Sequence, residues 1–395
     1  MWAFSDKVAV AGIGYSTLTR RAERPLAALA VDAVDAALAD AGITRKELDG
    51  LSTSPGMPRY GGAKGTVEGI DVVNPWYLSE LLSTHHHLAW TGSTNAMVTQ
   101  GFMEAAMAIA SGVCTHVIVY RALHVPPGSY VNYESQYASG QEQFMAPYGF
   151  SGPPSWAATI VRRYFEKFGY SRKDFARYIV DNRANTQANP NGFWRGKPIV
   201  EDDYINARMI ADPMSILDCD IPVDGCAALL LTSTERARDL KQKPALITGF
   251  AAGTHPAPYG IPMTLEDLWT GAEQVAERLW AATGLGPKDM DVGQLYDGFA
   301  PFVYIWLEGL GIVPKGEGLA FLRDGEGSLT GRFPLNTGGG ALGEGGLHGM
   351  TQLAPSVIQV TDRGGALQVA GANRSIATIS NGLTKSTAFV ISRDS

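Results

Sequence analysis

Short apolar runs closed by glycine alternate along this chain with longer stretches of helical apolar spacing. The run Val8-Ala9-Val10-Ala11-Gly12-Ile13-Gly14 predicts a strand buried on both faces, for which a parallel sheet is the natural setting. Residues 25–41 place Ala and Leu with a 3.6-residue period and stop at Gly42, and Thr44-Arg45-Lys46-Glu47 has the form of a capping box that opens another helix. A further helix is predicted from about Ser93 to Ala110, breaking at Gly112 before the β-rich run His116-Val117-Ile118-Val119-Tyr120. On this reading His87-Leu88-Ala89-Trp90-Thr91-Gly92-Ser93-Thr94 opens that helix. Ala89 then sits at a helix N-terminus, where free backbone N–H groups favour developing negative charge.

From about residue 121 to 212 the βα rhythm dissolves into aromatic, Gly- and Pro-rich sequence, with one amphipathic helix over residues 156–168, as expected of an inserted lobe. Tyr130, Tyr133, Tyr137, Phe144, Tyr148 and Phe150 fit either the lining of a large apolar pocket or the core of a lid. The strand Ala228-Leu229-Leu230-Leu231 follows Asp224-Gly225-Cys226-Ala227. Then Ala245-Leu246-Ile247-Thr248-Gly249-Phe250 restarts the opening pattern, and Ile376-Ala377-Thr378-Ile379-Ser380-Asn381-Gly382 again leads from strand to glycine turn. The organisation is therefore two βα halves of similar plan, residues 1–240 with the lobe inside and 241–395, and no short fixed repeat.

The 395 residues are 45% hydrophobic and 18% charged, with no apolar run long enough to span a membrane. The start Met1-Trp2-Ala3-Phe4-Ser5-Asp6-Lys7 has no basic stretch followed by an apolar one, so the expected location is cytoplasmic. A net charge of -7 without a basic cluster disfavours nucleic acid and favours a small-molecule ligand. Cys114, Cys219 and Cys226 have no CxxC spacing, which argues against a disulfide framework or a zinc site. The consecutive His85-His86-His87 point to different sides, and no acidic set completes a metal site.

Two motifs carry candidate chemistry. In Gln294-Leu295-Tyr296-Asp297-Gly298-Phe299-Ala300-Pro301 a strand ends in a polar pair before a helix, where open α/β sheets place ligands; the alternative is a hydrogen-bonded cap. In Asn336-Thr337-Gly338-Gly339-Gly340-Ala341-Leu342-Gly343-Glu344-Gly345-Gly346-Leu347-His348-Gly349 the small residues let backbone approach a ligand, and the single histidine is suited to proton transfer. Neither GxGxxG after a first strand nor GxxxxGK[ST] is present, which speaks against a nucleotide phosphate loop.

Taken with the stretch from Asp212 to Ala227, with Asp181-Asn182-Arg183-Ala184-Asn185 and with Asn189-Pro190-Asn191, these motifs resemble the thiolase superfamily over nearly the whole chain, most of all its sterol-carrier-protein-x or lipid-transfer branch. The resemblance implies a five-layered α/β/α/β/α fold, usually dimeric, acting on acyl-CoA thioesters. Alignment on Thr91-Gly92-Ser93-Thr94 puts Ala89 where the thiolase nucleophilic cysteine belongs and Ser380 where the second, proton-shuttling cysteine would be. His348 matches the family histidine. Tyr296 matches a position that is tyrosine in the steroid side-chain aldolases.

What the resemblance implies is a carbon–carbon lyase: retro-aldol cleavage of a β-hydroxyacyl-CoA, steroidal or similarly bulky, to a ketone and propionyl-CoA or acetyl-CoA. This chemistry needs acid/base groups but no covalent acyl-enzyme. Tyr296, its pKa lowered by its surroundings, would take the hydroxyl proton, while His348 and backbone N–H groups near Ser380, Asn381 and Gly382 stabilise the thioester oxygen; the two roles are exchangeable. Asp297 is a further candidate for substrate binding. Aldolase relatives also use a second tyrosine just before the histidine, where this chain has Gly345 and Gly346, which leaves the second acid unassigned, with Tyr259 or an ordered water as stand-ins. Coenzyme A enters as part of the substrate, with no separate cofactor or metal, and the implied partners are a second copy of the chain and a small OB-fold protein of the DUF35 type. Two rival readings stay open: a thiolase-type acyltransferase with an unusual nucleophile, and a non-catalytic acyl-CoA- or lipid-binding protein.

Overall fold

The first apolar run forms strand β1 (Val8–Tyr15), and the periodic stretch after it forms helix α1 (Leu26–Ala41), which ends at Gly42 in the left-handed conformation. The buried side of α1, Leu26, Leu29, Ala30, Ala33, Val34, Ala37, Leu38 and Ala41, repeats at helical spacing. It comes so near β1 that a Cβ on Gly14 would lie 2.0 Å from the Ala33 carbonyl oxygen. There follow β2 (Gly50–Thr53), β3 (Trp90–Ser93), α2 (Val98–Ala110) and β4 (His116–Leu123). The lobe supplies α3 (Gly152–Phe168) and α4 (Ala176–Ala188) before β5 (Gly225–Ser233) returns to the sheet. The chain then forms β6 (Ala245–Gly253), α5 (Leu265–Thr283), β7 (Val292–Gln294), α6 (Gly340–Glu344), α7 (Met350–Val360), β8 (Arg374–Ser380) and β9 (Ser386–Arg393). The computed structural model describes residues 2–54, 72–94, 98–125, 143–150, 152–254, 264–380 and 386–394. Tyr130, Tyr133, Tyr137, Tyr259, Asn381 and Gly382 fall outside these segments.

The strands lie in the order β3-β2-β4-β5-β1-β6-β9-β8-β7. Within residues 8–233, β1 runs antiparallel to β5, β5 antiparallel to β4, and β4 parallel to β2. The same sequence of directions recurs from 245 onward: β6 antiparallel to β9, β9 antiparallel to β8, β8 parallel to β7. The two parts join where Ala9 and Val10 pair with Leu246 and Ala245. β1 is thus buried on both faces in an antiparallel setting, not the parallel one expected, because helices cover both sides of it whatever the direction of its neighbours.

Those helices make five layers. α1 covers one outer face, and α5 covers the other, where a Cβ on Gly253 would meet the Gly271 carbonyl oxygen at 2.8 Å. α2 lies between the two parts of the sheet. On one side the Ser52 hydroxyl of β2 donates to the Gly101 carbonyl oxygen at 3.0 Å; on the other the buried Phe102 ring stands edge-on to Phe389 of β9 with centroids 5.1 Å apart. α7 shares this middle layer, its Ser356 hydroxyl hydrogen-bonded to Ser375 of β8 at 2.9 Å. Among the described residues no helix is long and apolar enough to cross a membrane.

Two local expectations are corrected. Trp90, Thr91, Gly92 and Ser93 pair in parallel register with Gly50, Leu51, Ser52 and Thr53, so they form an edge strand, and the described helix covers Val98–Ala110. Ala89 therefore precedes a strand, its N–H donating to the Asp49 carbonyl oxygen at 2.7 Å, and is not at a helix N-terminus. The Thr44–Glu47 capping box is present but opens one 3-10 turn, Arg45–Glu47. Phe102 is the bridge between the sheet's two parts, and Phe102→Ala is expected to cost about 3–5 kcal/mol, read as a fall in the urea midpoint; a cost below about 1 kcal/mol would contradict this packing.

Candidate active site

Strand β7 ends where Asn336 imitates a neighbouring strand. Its Oδ1 accepts the Leu295 N–H at 2.7 Å and its Nδ2 donates to the Leu295 carbonyl oxygen at 2.9 Å, so one side chain makes both bonds of a peptide partner. Asn336 holds a left-handed backbone (φ 44°), a conformation asparagine tolerates better than most residues. The next residue, Tyr296, is tied to β8 by its N–H, which donates to the Thr378 hydroxyl at 3.1 Å. Its ring is almost wholly buried, stacked on Phe302 at 6.0 Å between centroids, and the hydroxyl folds over Gly298, where a Cβ would lie 2.3 Å from it.

Asp297 points the other way, into the protein. Oδ1 accepts from the Ala341 N–H at 2.7 Å and the Gln352 amide at 3.1 Å; Oδ2 accepts from the Leu342 N–H and the Asn182 amide, both at 3.4 Å. A carboxylate from a distant loop thereby caps the start of α6. Gly340 is required there: its φ is +58° and a Cβ would meet Asp297 Oδ2 at 2.1 Å. Helix α4 grips the same loop with one polar stripe: the Asn185 amide donates to the Asn336 carbonyl oxygen (3.3 Å), the Asn189 amide to the Gly338 carbonyl oxygen (2.8 Å) and to Glu344 Oε2 (2.9 Å), and Thr186 packs against Gly339 and Gly343. Expected at the substrate, Asp297 instead lies fully buried beneath the site with its acceptors occupied, and its work is to hold the loop.

The loop delivers His348 to the middle layer. His348 is buried and also left-handed (φ 43°), backbone strain of the kind that clusters at functional sites. At the following Gly349, a Cβ would stand 3.0 Å from Val98 and 3.3 Å from Thr99 at the start of α2, and 3.4 Å from Ile379 of β8. The helix start, the end of β8 and the histidine turn thus converge, and Tyr296 is fastened to that strand one residue earlier, at Thr378. Behind the histidine lies Arg121 of β4, buried, with Nη2 3.2 Å from His348 Nδ1. Arginine only donates, so Nδ1 accepts and the ring proton resides on Nε2. Burial, with the Arg121 charge, pulls the imidazole pKa down to about 3, which keeps it neutral.

None of the three cysteines is primed as a nucleophile. Burial and the Asp49 charge push Cys114 up to about 12, and burial raises Cys219 and Cys226 as well. Of the other residues expected at the site, Ser380 closes β8 opposite Ser386. Phe144 and Tyr148 are strongly exposed, 70% and 85%, whereas Phe150 lines a surface cavity together with Ala158 and Arg162. Sequence reasoning missed Arg121, signalled only by a lone charge inside an apolar strand, and the α4 stripe Asn182, Asn185, Thr186, Asn189, whose helical spacing is legible once polar positions are counted as a buried face.

A layered α/β sandwich of two like-built parts, with a neutral histidine and a tyrosine brought to one strand end and no activated thiol, defines a thiolase-fold protein outside the acyl-transferring type. The family model described as thiolase C-terminal domain-like matches residues 259–393. A 17-hydroxy-3-oxo-4-pregnene-20-carboxyl-CoA lyase of Mycobacterium tuberculosis is 35% identical over 393 residues, 97% of this chain and 98% of that protein. A steroid side-chain-cleaving aldolase of Thermomonospora curvata is 35% identical over 361 residues, 88% of this chain and 89% of the other. Among solved structures, an Ltp2-ChsH2(DUF35) aldolase superposes with a TM-score of 0.84 at 30% identity over 99% of each chain. Human mitochondrial 3-ketoacyl-CoA thiolase, at 13% identity and a TM-score of 0.69 over the full length of both, shares the fold. The chain belongs to the thiolase superfamily, in the lipid-transfer branch that includes the steroid side-chain aldolases.

The buried carboxyls leave a pH signature. Burial raises Asp297 and Glu344 each to about 7, so between about pH 4 and 7 the folded state holds protons the unfolded chain releases. Their contribution to stability is full below the unfolded pKa and is lost as pH rises through 7. Glu344→Gln is expected to flatten the fall in stability between pH 5 and 8 in chemical denaturation; an unchanged slope would contradict the assignment.

Proposed function

We propose that this protein is an acyl-CoA carbon–carbon lyase that cleaves a β-hydroxyacyl-CoA, with a steroid or similarly bulky acyl part, into a ketone and propionyl-CoA or acetyl-CoA. The observation that carries the reading is the pairing of a neutral, tautomerically fixed His348 with Tyr296 in a thiolase-fold site that has no primed thiol. Tyr296 receives the β-hydroxyl proton, the carbon–carbon bond breaks, and its electron pair passes into the thioester enolate. The enolate oxygen is met by His348 Nε2–H and by backbone N–H groups near Ser380, Asn381 and Gly382.

The Arg121 contact favours this division of roles over its reverse. With Nδ1 occupied and a proton on Nε2, the histidine is a hydrogen-bond donor and a poor base, as suits an oxyanion partner. No acyl-enzyme is formed, and coenzyme A takes part only as the substrate's handle. A second copy of the chain and a small OB-fold protein of the DUF35 type are the proposed partners, in the cytoplasm. The names of the similar proteins support the substrate class and a DUF35-type partner.

The test incubates the protein, with and without an OB-fold partner, with β-hydroxy steroid-CoA thioesters and follows ketone and short acyl-CoA. Equal amounts of both are expected. Tyr296→Phe and His348→Asn, asparagine being chosen to accept the left-handed backbone, should each slow turnover about 100- to 10,000-fold. If no β-hydroxyacyl-CoA is cleaved, the lyase reading fails; if both variants keep full rates, the site assignment fails.

A further inference from the structure

A retro-aldol cleavage moves a proton twice, off the β-hydroxyl and later onto the α-carbon, and a phenol that takes the first proton must hand one on. His348, with its proton on Nε2 and Nδ1 engaged by Arg121, does not serve as that acceptor. Between the loops that carry Tyr296 and His348 runs the short segment 219–221, pinned on both sides. The Asp220 N–H donates to the Gly298 carbonyl oxygen at 3.0 Å, and the Gly346 N–H donates to the Ile221 carbonyl oxygen at 2.9 Å. Cys219 also bridges to Phe299.

The Asp220 side chain turns toward the histidine loop. A Cβ on Gly346, two residues before His348, would lie 2.4 Å from its Oδ2, so the carboxylate fills the space a side chain at 346 would take. On the tyrosine side, the glycine that anchors the Asp220 backbone is the one beneath the Tyr296 hydroxyl. Neighbouring acids are committed to the fold. Asp218 accepts from the Tyr204 hydroxyl and from the Ser215 N–H and hydroxyl, each at 2.7 Å, and Asp297 caps α6. The half-buried Asp220 carboxylate accepts no hydrogen bond among the described residues.

We propose that Asp220 is the second proton-transfer group of this site, receiving the β-hydroxyl proton by way of Tyr296 and returning it to the α-carbon of the enolate. This rests on the lyase reading. In the forward step the substrate O–H breaks, its proton goes to the Tyr296 oxygen, and the phenol's own proton goes to the Asp220 carboxylate. The C–O bond becomes a carbonyl as the carbon–carbon bond opens into the enolate. In the second step the Asp220 acid gives its proton to the α-carbon, and the enolate collapses to the thioester. Tyrosine and aspartate end as they began, with no oxidant or co-reactant.

Burial, with the Asp297 charge beneath, raises the Asp220 carboxyl to about 8, where a base is poised for work near neutral pH. Among the described residues the charge acting on it is that of Asp297 from the β7 end; Asp218 and Cys219 flank it on its own segment, and the facing stretch 345–347 carries no charge. Because the carboxylate is the working form, turnover should rise with pH through about 8 and fall away below it.

Asp220→Asn keeps the shape and removes the base. With the wild-type protein cleaving a β-hydroxy steroid-CoA as control, the variant should lose about 100-fold or more in kcat and lose the acid limb near pH 8. Its melting temperature at pH 8.5 should match or exceed that of the wild type, since a neutral amide no longer opposes burial. Gly346→Ala, which drives a methyl against Oδ2, should lower kcat in the same sense. If Asp220→Asn keeps kcat within about threefold, or keeps the acid limb, Asp220 is not the proton carrier while the lyase reading stands. If the wild type cleaves no such thioester, both are overturned.

Discussion

The site depends on one buried carboxylate. Asp297, at the end of β7, takes the first free N–H groups of α6 at Ala341 and Leu342 and so ties the glycine-rich loop to the strand that carries Tyr296. The loop has little else to fix it, since its glycines give it conformational freedom and few side chains to pack. Burial without a cationic partner is costly for a carboxylate, and the protein meets the cost with four donors and a raised pKa. The position of His348 twelve residues beyond Asn336 follows from that anchorage.

Around this constraint the two parts of the fold divide the labour. The second part supplies Tyr296 and His348. The first supplies Arg121, which sets the histidine's tautomer, and the start of α2, against which Gly349 packs. The lobe contributes less an exposed aromatic wall than a clamp, α4, whose Asn185, Thr186 and Asn189 reach loop residues about 150 positions away in sequence. Thiolase chemistry uses such a site to attack with sulfur. Here the three thiols are raised by burial, while a neutral Nε2–H and a tyrosine remain, a set suited to breaking a carbon–carbon bond by proton transfer and oxyanion stabilisation.

Much of this was legible along the chain, and the exceptions have physical causes. β1, α1, β4 and β6 announce themselves because continuous apolar runs and helical spacing report burial directly. β3 is hidden: four residues at a sheet edge, Trp-Thr-Gly-Ser, have no period to read, and only pairing with β2 makes them a strand, which displaces Ala89 from the helix start. Tyr296 and His348 stand out through their motifs. Arg121, Asp220 and the α4 stripe do not, because their meaning lies in contacts made by the folded chain across long sequence separations. Asp297 was read as touching substrate for the same reason: a polar residue beside a candidate tyrosine looks alike whether it faces a ligand or a helix end.

The central claim is cleavage through an enolate without an acyl-enzyme, and product isotope content tests it most directly. The protein would be given a β-hydroxyacyl-CoA in D2O with no free coenzyme A, and the products and the intact chain weighed by mass spectrometry. The account expects ketone and short acyl-CoA in equal amounts, one deuterium on the α-carbon of the acyl-CoA, and an unmodified chain. Product formation only when free coenzyme A is added, or an acyl group retained on the protein, would contradict it.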